Sequence, residues 1–412
     1  MISAGNHARD IYISSVPKQD FNLLRNNLSL LRQETCKALN NDARHRRLLS
    51  PAESINALTI GAIHYDESKS NSLAGYVLDP LPLNSCALPS PINAQGSGFR
   101  RSIKPEIMFP GGRQLYMDKI HNGSNVVLEI LHTNLAPGQK VAFPSMGDPT
   151  ATGYTRGTSN ATALAARSAA ILYNNLHEMI NETEKVITDE HISVMIKALL
   201  VHSASWGDMA NNFDQYLNLR VDNRKNVLSR FLGYGKTDTE RVMFCTEQRA
   251  TLLGWGNISD GAAHRYNIPL PSSLGGKKVW RKMVITLAWF TPVNTAHQAY
   301  RRASLWFDPY GEDSSNNNLA STLGISRCEV DWRSARRGTV QHEIFEGEDI
   351  KVFEQEAVSE IQINCRADAG DLNEEIPYAL VVTLEVSPGI ELPIYEEIST
   401  RIRPRIQPRP IV

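Results

Sequence analysis

Gly157-Thr158-Ser159-Asn160-Ala161-Thr162 decides the reading of this chain, because here glycines and polar residues give way to the Ala-rich run SNATALAARSAAILY over residues 159–173. That run is a strong helix former with small residues on one face, able to pack closely on a neighbour. Ser159 therefore falls at a helix N-terminus, where the first-turn N–H groups lack intrahelical partners and the dipole is positive. A hydroxyl placed there lies beside donors that stabilise negative charge developing on a substrate oxygen. Capping the helix is the commonest job of a serine at such a position, so the motif gains meaning only from its company.

That company lies upstream. In chain order come Ser3-Ala4-Gly5-Asn6, then Ser50-Pro51-Ala52 leading to Asn56-Ala57-Leu58-Thr59-Ile60-Gly61-Ala62, then Lys104-Pro105-Glu106-Ile107 with Pro110-Gly111, and finally Gly157-Thr158-Ser159. This succession resembles the second half of the catalytic domain of the subtilisin-like serine proteases, the subtilases. The resemblance implies an α/β domain, a mostly parallel sheet with flanking helices, that is incomplete here. It also implies that Ser159 is the nucleophile of a serine endopeptidase acting through an acyl-enzyme, and that Asn6 is the side-chain donor of the oxyanion hole beside the Ser159 N–H. The plainer role for Asn6 is a turn after Gly5, since Asn tolerates left-handed backbone. Asn160 and Ala163 stand where the family usually carries Met and Pro. Asn6 and Ser159 are 153 positions apart (159 minus 6), far more than in compact members, which reads as a large, insertion-bearing relative.

A serine hydroxyl needs an adjacent base, itself oriented by a third group. In the resembled family both the Asp and the His precede the S-A-G-N segment, so they are expected upstream of Met1; no H-G-T occurs in the chain, and Asp260-Gly261 comes too late. His7 directly follows Asn6 and would point elsewhere, His202 reads as a packed helix residue, and the remaining histidines receive no role. The strands that would carry the triad partners are missing too, leaving a parallel sheet with an exposed edge that invites pairing. A truncated reading frame or C-terminal fragment is the expectation.

Leu and Phe at helical spacing predict an amphipathic helix over residues 20–39, Ala57–Ile63 reads as a buried strand, residues 79–98 have loop composition, and Asn125–Leu131 reads as a strand. Thr188–Ala204 is a second helix with a capping Thr188. Beyond Tyr234 short β-forming runs such as ATLLGWGNI and YALVVTLEV alternate with turn residues, as in an all-β sandwich. Residues 1–234 are thus assigned to the catalytic portion, 235–395 to a β-sandwich, and 396–412 to an extended, solvated Arg/Pro-rich tail containing Arg401, Arg403, Arg405 and Arg409. Trp255, Trp280, Trp289, Trp306 and Trp332 are read as packing between the sheets.

Lys and Arg total 43 against 44 Asp and Glu, which gives no single-sign field to hold nucleic acid or an anionic membrane. Five scattered cysteines without a CxxC pair suggest reduced thiols in a cytoplasm. MISAGNHARD has no signal-peptide character, and no run approaches the roughly 20 apolar residues of a membrane span. Carboxylates lack ligand-spaced loops, so neither metal nor cofactor is expected. Expected partners are a protein or peptide substrate and, by the resemblance, a partner ATPase or a complementing N-terminal polypeptide. The alternative is a catalytically silent fragment or interaction module, or half of a complemented two-chain protease.

Overall fold

The computed structural model describes residues 1–68, 75–83, 86–181, 187–309, 319–352 and 356–402. The chain forms two compact units, one of Met1–Asn175 with Ala204–Thr237, the other of Leu176–Ser203 with Asp238 onward.

In the first unit a five-stranded sheet runs in the order Ile2–Ser3, Thr59–Ile63, Ile107–Pro110, Lys236–Thr237, Ala204–Ser205. The first four strands are parallel and the last antiparallel. Every residue of Thr59–Ile63 is buried, as a parallel strand covered on both faces requires. Burial of Ile60 and Ile63 contributes about 1.5–3 kcal/mol each. The neighbouring Lys104 and Glu106 are also buried: Lys104 Nζ lies 2.6 Å from Glu106 Oε1 and donates to the Ala57 carbonyl, while the Thr59 N–H donates to Glu106 Oε2. The pair thus satisfies the backbone at the start of strand Thr59–Ile63. An antiparallel sheet of Ile11–Pro17, Asn125–Ile130, Tyr116–Asp118 and Val77–Leu78 and a hairpin of Gln139–Ala142 with Thr152–Thr155 complete the unit's sheets.

The helix predicted over residues 20–39 is two helices, Phe21–Asn26 and Leu28–Asn41. Asn27 divides them because its Oδ1 accepts the Leu30 N–H and starts the second, the capping that Asn side chains favour. The segment of loop composition has no strand among its described residues beyond isolated bridges, yet Leu88, Ile92 and Ala94 in it are buried.

The second unit contains an antiparallel sheet of Arg249–Ile258, Ile376–Val386, Arg281–Trp289, Val340–Gly347 and Ser326–Arg327, and another of Ala263–Pro269, Val358–Ala367 and Ala303–Phe307. Both sheets supply residues to one apolar cluster, among them Leu287, Leu380, Leu305 and Ile363. Trp289 is fully buried there, whereas Trp255, Trp280 and Trp306 are half-buried and Trp332 is exposed. So the expectation of tryptophan packing holds in full only at Trp289.

Helix Asp189–His202 packs on strands Arg281–Trp289 and Ile376–Val386 of this unit. Its polar residues explain the choice: Lys197 Nζ donates to Thr339 Oγ1 at 2.7 Å, and His202 hydrogen-bonds Thr286 and Thr383 at 2.8 and 2.7 Å. The tail read as extended from residue 396 is helical over Ile394–Ile402. Ile394 and Ile398 bury one face, Glu396 and Glu397 occupy the first turn and Arg401 the last, matching the helix dipole. Arg401 donates to the carbonyls of Leu270, Glu356 and Ala357 and is not solvated as a free tail would be. Arg403, Arg405 and Arg409 lie outside the described residues.

No helix among the described residues is long and apolar enough to cross a membrane.

Candidate active site

Thr158 opens the helix Thr158–Asn181, which places Ser159 in its first turn as the sequence predicts. Ser159 is exposed, and among the described residues its hydroxyl has no hydrogen-bond partner. The strand Ile2–Ser3 delivers Asn6 to the same place. Its Oδ1 accepts the Thr158 N–H at 2.9 Å and the Thr158 hydroxyl at 3.2 Å. The hydroxyls of Ser3 and Thr162 lie 2.9 Å apart and the Gly5 N–H donates to Thr158 Oγ1 at 3.3 Å, so strand end and helix start are joined at several points. With its carbonyl spent on Thr158, the Asn6 carboxamide keeps its Nδ2 donors unengaged among the described residues.

Gly157 makes this approach feasible. Its φ is +141°, and a Cβ there would stand 2.7 Å from Asn6 Nδ2, so both the left-handed backbone and the contact demand glycine.

Asn160, on the far side of Ser159, has no part in the chemistry by its sequence position. Its Oδ1 accepts from Thr155 Oγ1 at 3.0 Å and its Nδ2 donates to the Gly111 carbonyl at 3.4 Å; that carbonyl also accepts the Gly157 N–H at 2.9 Å. Arg156, just before the loop, donates to the carbonyls of Thr133, Leu135 and Pro137, and to those of Arg113 and Tyr154 at 3.4 and 3.3 Å. Burial pushes its guanidinium below the usual range, opposed by Asp66. Asp66 itself is held low: burial would raise it, but hydrogen bonds from Ser68 and Arg113 outweigh that.

Among the described residues no histidine is hydrogen-bonded to Ser159. His7 Nε2 is bonded to the Arg47 carbonyl at 2.7 Å, and His45 Nδ1 to Asp42 at 2.7 Å. His64, given no role from sequence, forms a buried pair with Asp79, Nε2 to Oδ1 at 2.7 Å, while its Nδ1 accepts the Gln114 N–H at 3.3 Å. Burial would raise the Asp79 carboxyl, but His64 and the Leu81 N–H hold it below the ordinary value. With both ring nitrogens engaged, His64 has none left to take a proton from serine. The signal for this pair was present only in space, since 15 residues separate its members.

The sequence profile of the subtilase family (peptidase S8) matches residues 1–235. The chain belongs to the subtilase family. The subtilase is 24% identical over 270 residues, 64% of its length, to an uncharacterized protein, y4bN, of Sinorhizobium fredii (strain NBRC 101917 / NGR234). The match spans 55% of that protein, so the chain covers about half the length of the curated relative. Among solved structures, a chain from the acidic stable capsid of Helicobacter pylori bacteriophage KHP30 aligns with 34% of the subtilase and 88% of its own length at 11% identity, with a TM-score of 0.17, a likeness too slight to bear on fold.

Proposed function

We propose that the first unit is the nucleophile-bearing part of a subtilisin-type serine endopeptidase, with Ser159 as nucleophile and Asn6 as oxyanion donor. The observation that carries this reading is the Asn6 carboxamide, anchored through Oδ1 on Thr158 with Nδ2 left over, beside an exposed Ser159 at a helix start. In the reaction, Ser159 Oγ attacks the scissile carbonyl carbon while a base takes its proton. The oxyanion lies between Asn6 Nδ2 and the Ser159 N–H, the amine leaves with the transferred proton, and water hydrolyses the ester.

The base and its carboxylate partner belong to a strand-and-helix segment outside residues 1–412, from the same polypeptide or a complementing one. Two features support this. The parallel sheet ends at Ile2–Ser3, whose outer edge is unpaired among the described residues. Ala163, Ala166 and Ala170, three and four positions apart on the Ser159 helix, present an exposed face of small residues to which another backbone could come close. The second unit reads as an accessory β-sandwich, the setting as a cytoplasm, and a partner ATPase as the family-type companion.

A serine-reactive phosphonate tests the proposal on the polypeptide isolated from its source, whose intact mass and N-terminal sequence are measured first. Labelling at Ser159 that disappears in Ser159→Ala is the expected result. A source polypeptide that begins at Met1, works with no second chain and stays unlabelled would favour the silent-fragment reading, for which the lack of a base beside Ser159 among the described residues speaks.

A further inference from the structure

The hairpin that runs into Ser159 offers an apolar face. Its strands pair Gln139 with Thr155 and Val141 with Gly153, and the Phe143 N–H donates to the Ala151 carbonyl at 2.9 Å. Side chains alternate across a strand, so Gln139, Val141, Phe143, Ala151, Gly153 and Thr155 share one face, polar at its base with Gln139 and Thr155 and apolar beyond. Thr155 identifies the direction of that face, because its hydroxyl donates to Asn160, the residue following Ser159. Gly153 keeps the face shallow: a Cβ there would lie 3.2 Å from Phe143 Cβ, and Phe143 lies over the bare backbone while remaining 45% exposed.

The arm carrying this face is fixed at its base. Arg156 holds the carbonyls of Thr133, Leu135 and Pro137 together with that of Tyr154, and the Tyr154 N–H donates to the Asn134 carbonyl at 2.9 Å. The exposed Leu135 and Met146 extend the apolar surface along the anchored loop and to the hairpin tip. Charge is nearly absent: residues 132–152 include one Lys, Lys140, and one Asp, Asp148. Such a surface has little attraction for nucleic acid or anionic lipid, whereas clustered exposed apolar side chains mark an interaction site.

We propose that this hairpin face binds an extended, uncharged, apolar-rich stretch of polypeptide adjoining the bond presented to Ser159, and so sets a substrate preference; the proposal rests on the reading of Ser159 as nucleophile. The face runs from Phe143 across its bond to Ala151 and down the second strand through Gly153 and Thr155 to the Ser159 turn, which selects a substrate chain over a remote partner as the occupant.

Binding is measured with the full chain carrying Ser159→Ala, by fluorescence anisotropy of two short fluorescein-labelled unstructured peptides. One alternates Leu and Phe with Ser; the other has Gln and Ser in their place. The apolar peptide binds, Phe143→Ser weakens it at least about tenfold, Phe143→Leu restores it, and Tyr12→Ser, at an aromatic on strand Ile11–Pro17 that is more exposed than Phe143, leaves it unchanged. Equal binding of both peptides, indifference to Phe143→Ser, or a Phe143→Ser variant that turns a dimer into a monomer would each overturn the proposal, the last by showing that a second copy covers the face. Uptake by neutral phosphatidylcholine vesicles in preference to the peptide would overturn it in favour of lipid. Since Ser159 plays no part in this binding, a polypeptide from the source, with the segment that supplies the base, that binds the peptide but neither cleaves it nor is labelled at Ser159 by the phosphonate refutes the nucleophile alone.

Discussion

Asn6 Oδ1 accepts the Thr158 N–H at 2.9 Å across 152 residues of sequence, so the side chain proposed as oxyanion donor is aligned by the backbone next to Ser159, the proposed nucleophile. Acceptor and donor reside on different atoms of one carboxamide, and substitution can separate them. Asn6→Asp keeps an oxygen for Thr158 and loses the Nδ2 donor, placing negative charge where the oxyanion forms. Peptide hydrolysis by the complete enzyme is expected to fall about 10²–10³-fold or more, with Tm close to that of the parent. Undiminished kcat in Asn6→Asp would remove Asn6 from the oxyanion hole. Asn6→Ala loses both functions and additionally lowers stability by about 1 kcal/mol.

Gly157→Ala tests the same junction from the other side. The new methyl would meet Asn6 Nδ2 at 2.7 Å with φ at +141°, and a non-glycine residue in such a conformation costs about 1–3 kcal/mol. Urea unfolding followed by circular dichroism should record that loss, together with reduced phosphonate labelling of Ser159. A Gly157→Ala protein as stable and as reactive as the parent would mean that the loop relaxes without moving Asn6.

The buried pair of Lys104 and Glu106 makes a third case. Side-chain exposures of 2% and 5% leave no water to replace a lost partner. Glu106→Leu strands a buried ammonium and frees the Thr59 N–H, and is expected to cost about 3–5 kcal/mol. Lys104→Met combined with Glu106→Leu should cost less than Glu106→Leu alone, since no uncompensated charge remains. Denaturant midpoints of the single and double variants decide it; a double variant less stable than Glu106→Leu would show that the Lys104 contacts to Ala57 and Thr59 outweigh the charge.

The sequence made the junction legible because each of its parts has a local signature: glycine, then hydroxyls, then an Ala-rich run at a helix start, and a glycine followed by Asn at a strand end. The Thr59–Ile63 strand was equally plain from its unbroken apolar and small residues. Illegible segments are those where tertiary partners override local pattern. Strand Val340–Gly347 buries Gln341, His342 and Glu343, whose polarity hides the strand until Phe307, Thr286 and Arg327 are seen to satisfy them. Strand Ala263–Pro269 is hidden for a related reason, its His264 and Tyr266 bonding the Tyr378 hydroxyl at 2.8 Å in each case. Helix Asp189–His202 is recognisable as a helix, but its place follows from Lys197 finding the Thr339 hydroxyl and His202 those of Thr286 and Thr383 far along the chain, which no window of sequence displays.

His202 also makes the second unit sensitive to acid. Burial depresses its imidazole well below the ordinary value, aided by His342, Arg241 and Lys282 nearby. Both nitrogens are held by hydroxyls, Nδ1 by Thr286 and Nε2 by Thr383, with Thr286 bonded in turn to His342 Nδ1 at 2.7 Å. In the unfolded chain the same imidazole takes a proton near pH 6.5, while the folded one does not until lower pH. Stability from this group is therefore complete above about pH 6.5 and declines as pH falls below it towards the depressed folded value, by up to about 1.4 kcal/mol per pH unit. Five of the six tryptophans, Trp255, Trp280, Trp289, Trp306 and Trp332, lie in this unit, so urea unfolding followed by tryptophan fluorescence reports mainly on it. His202→Gln retains a hydrogen-bonding side chain without the titration. It should be less stable than the parent at pH 8 and lose less stability between pH 6.5 and 5. Parallel pH profiles for parent and variant would place the acid sensitivity elsewhere, His342 being the next group to replace.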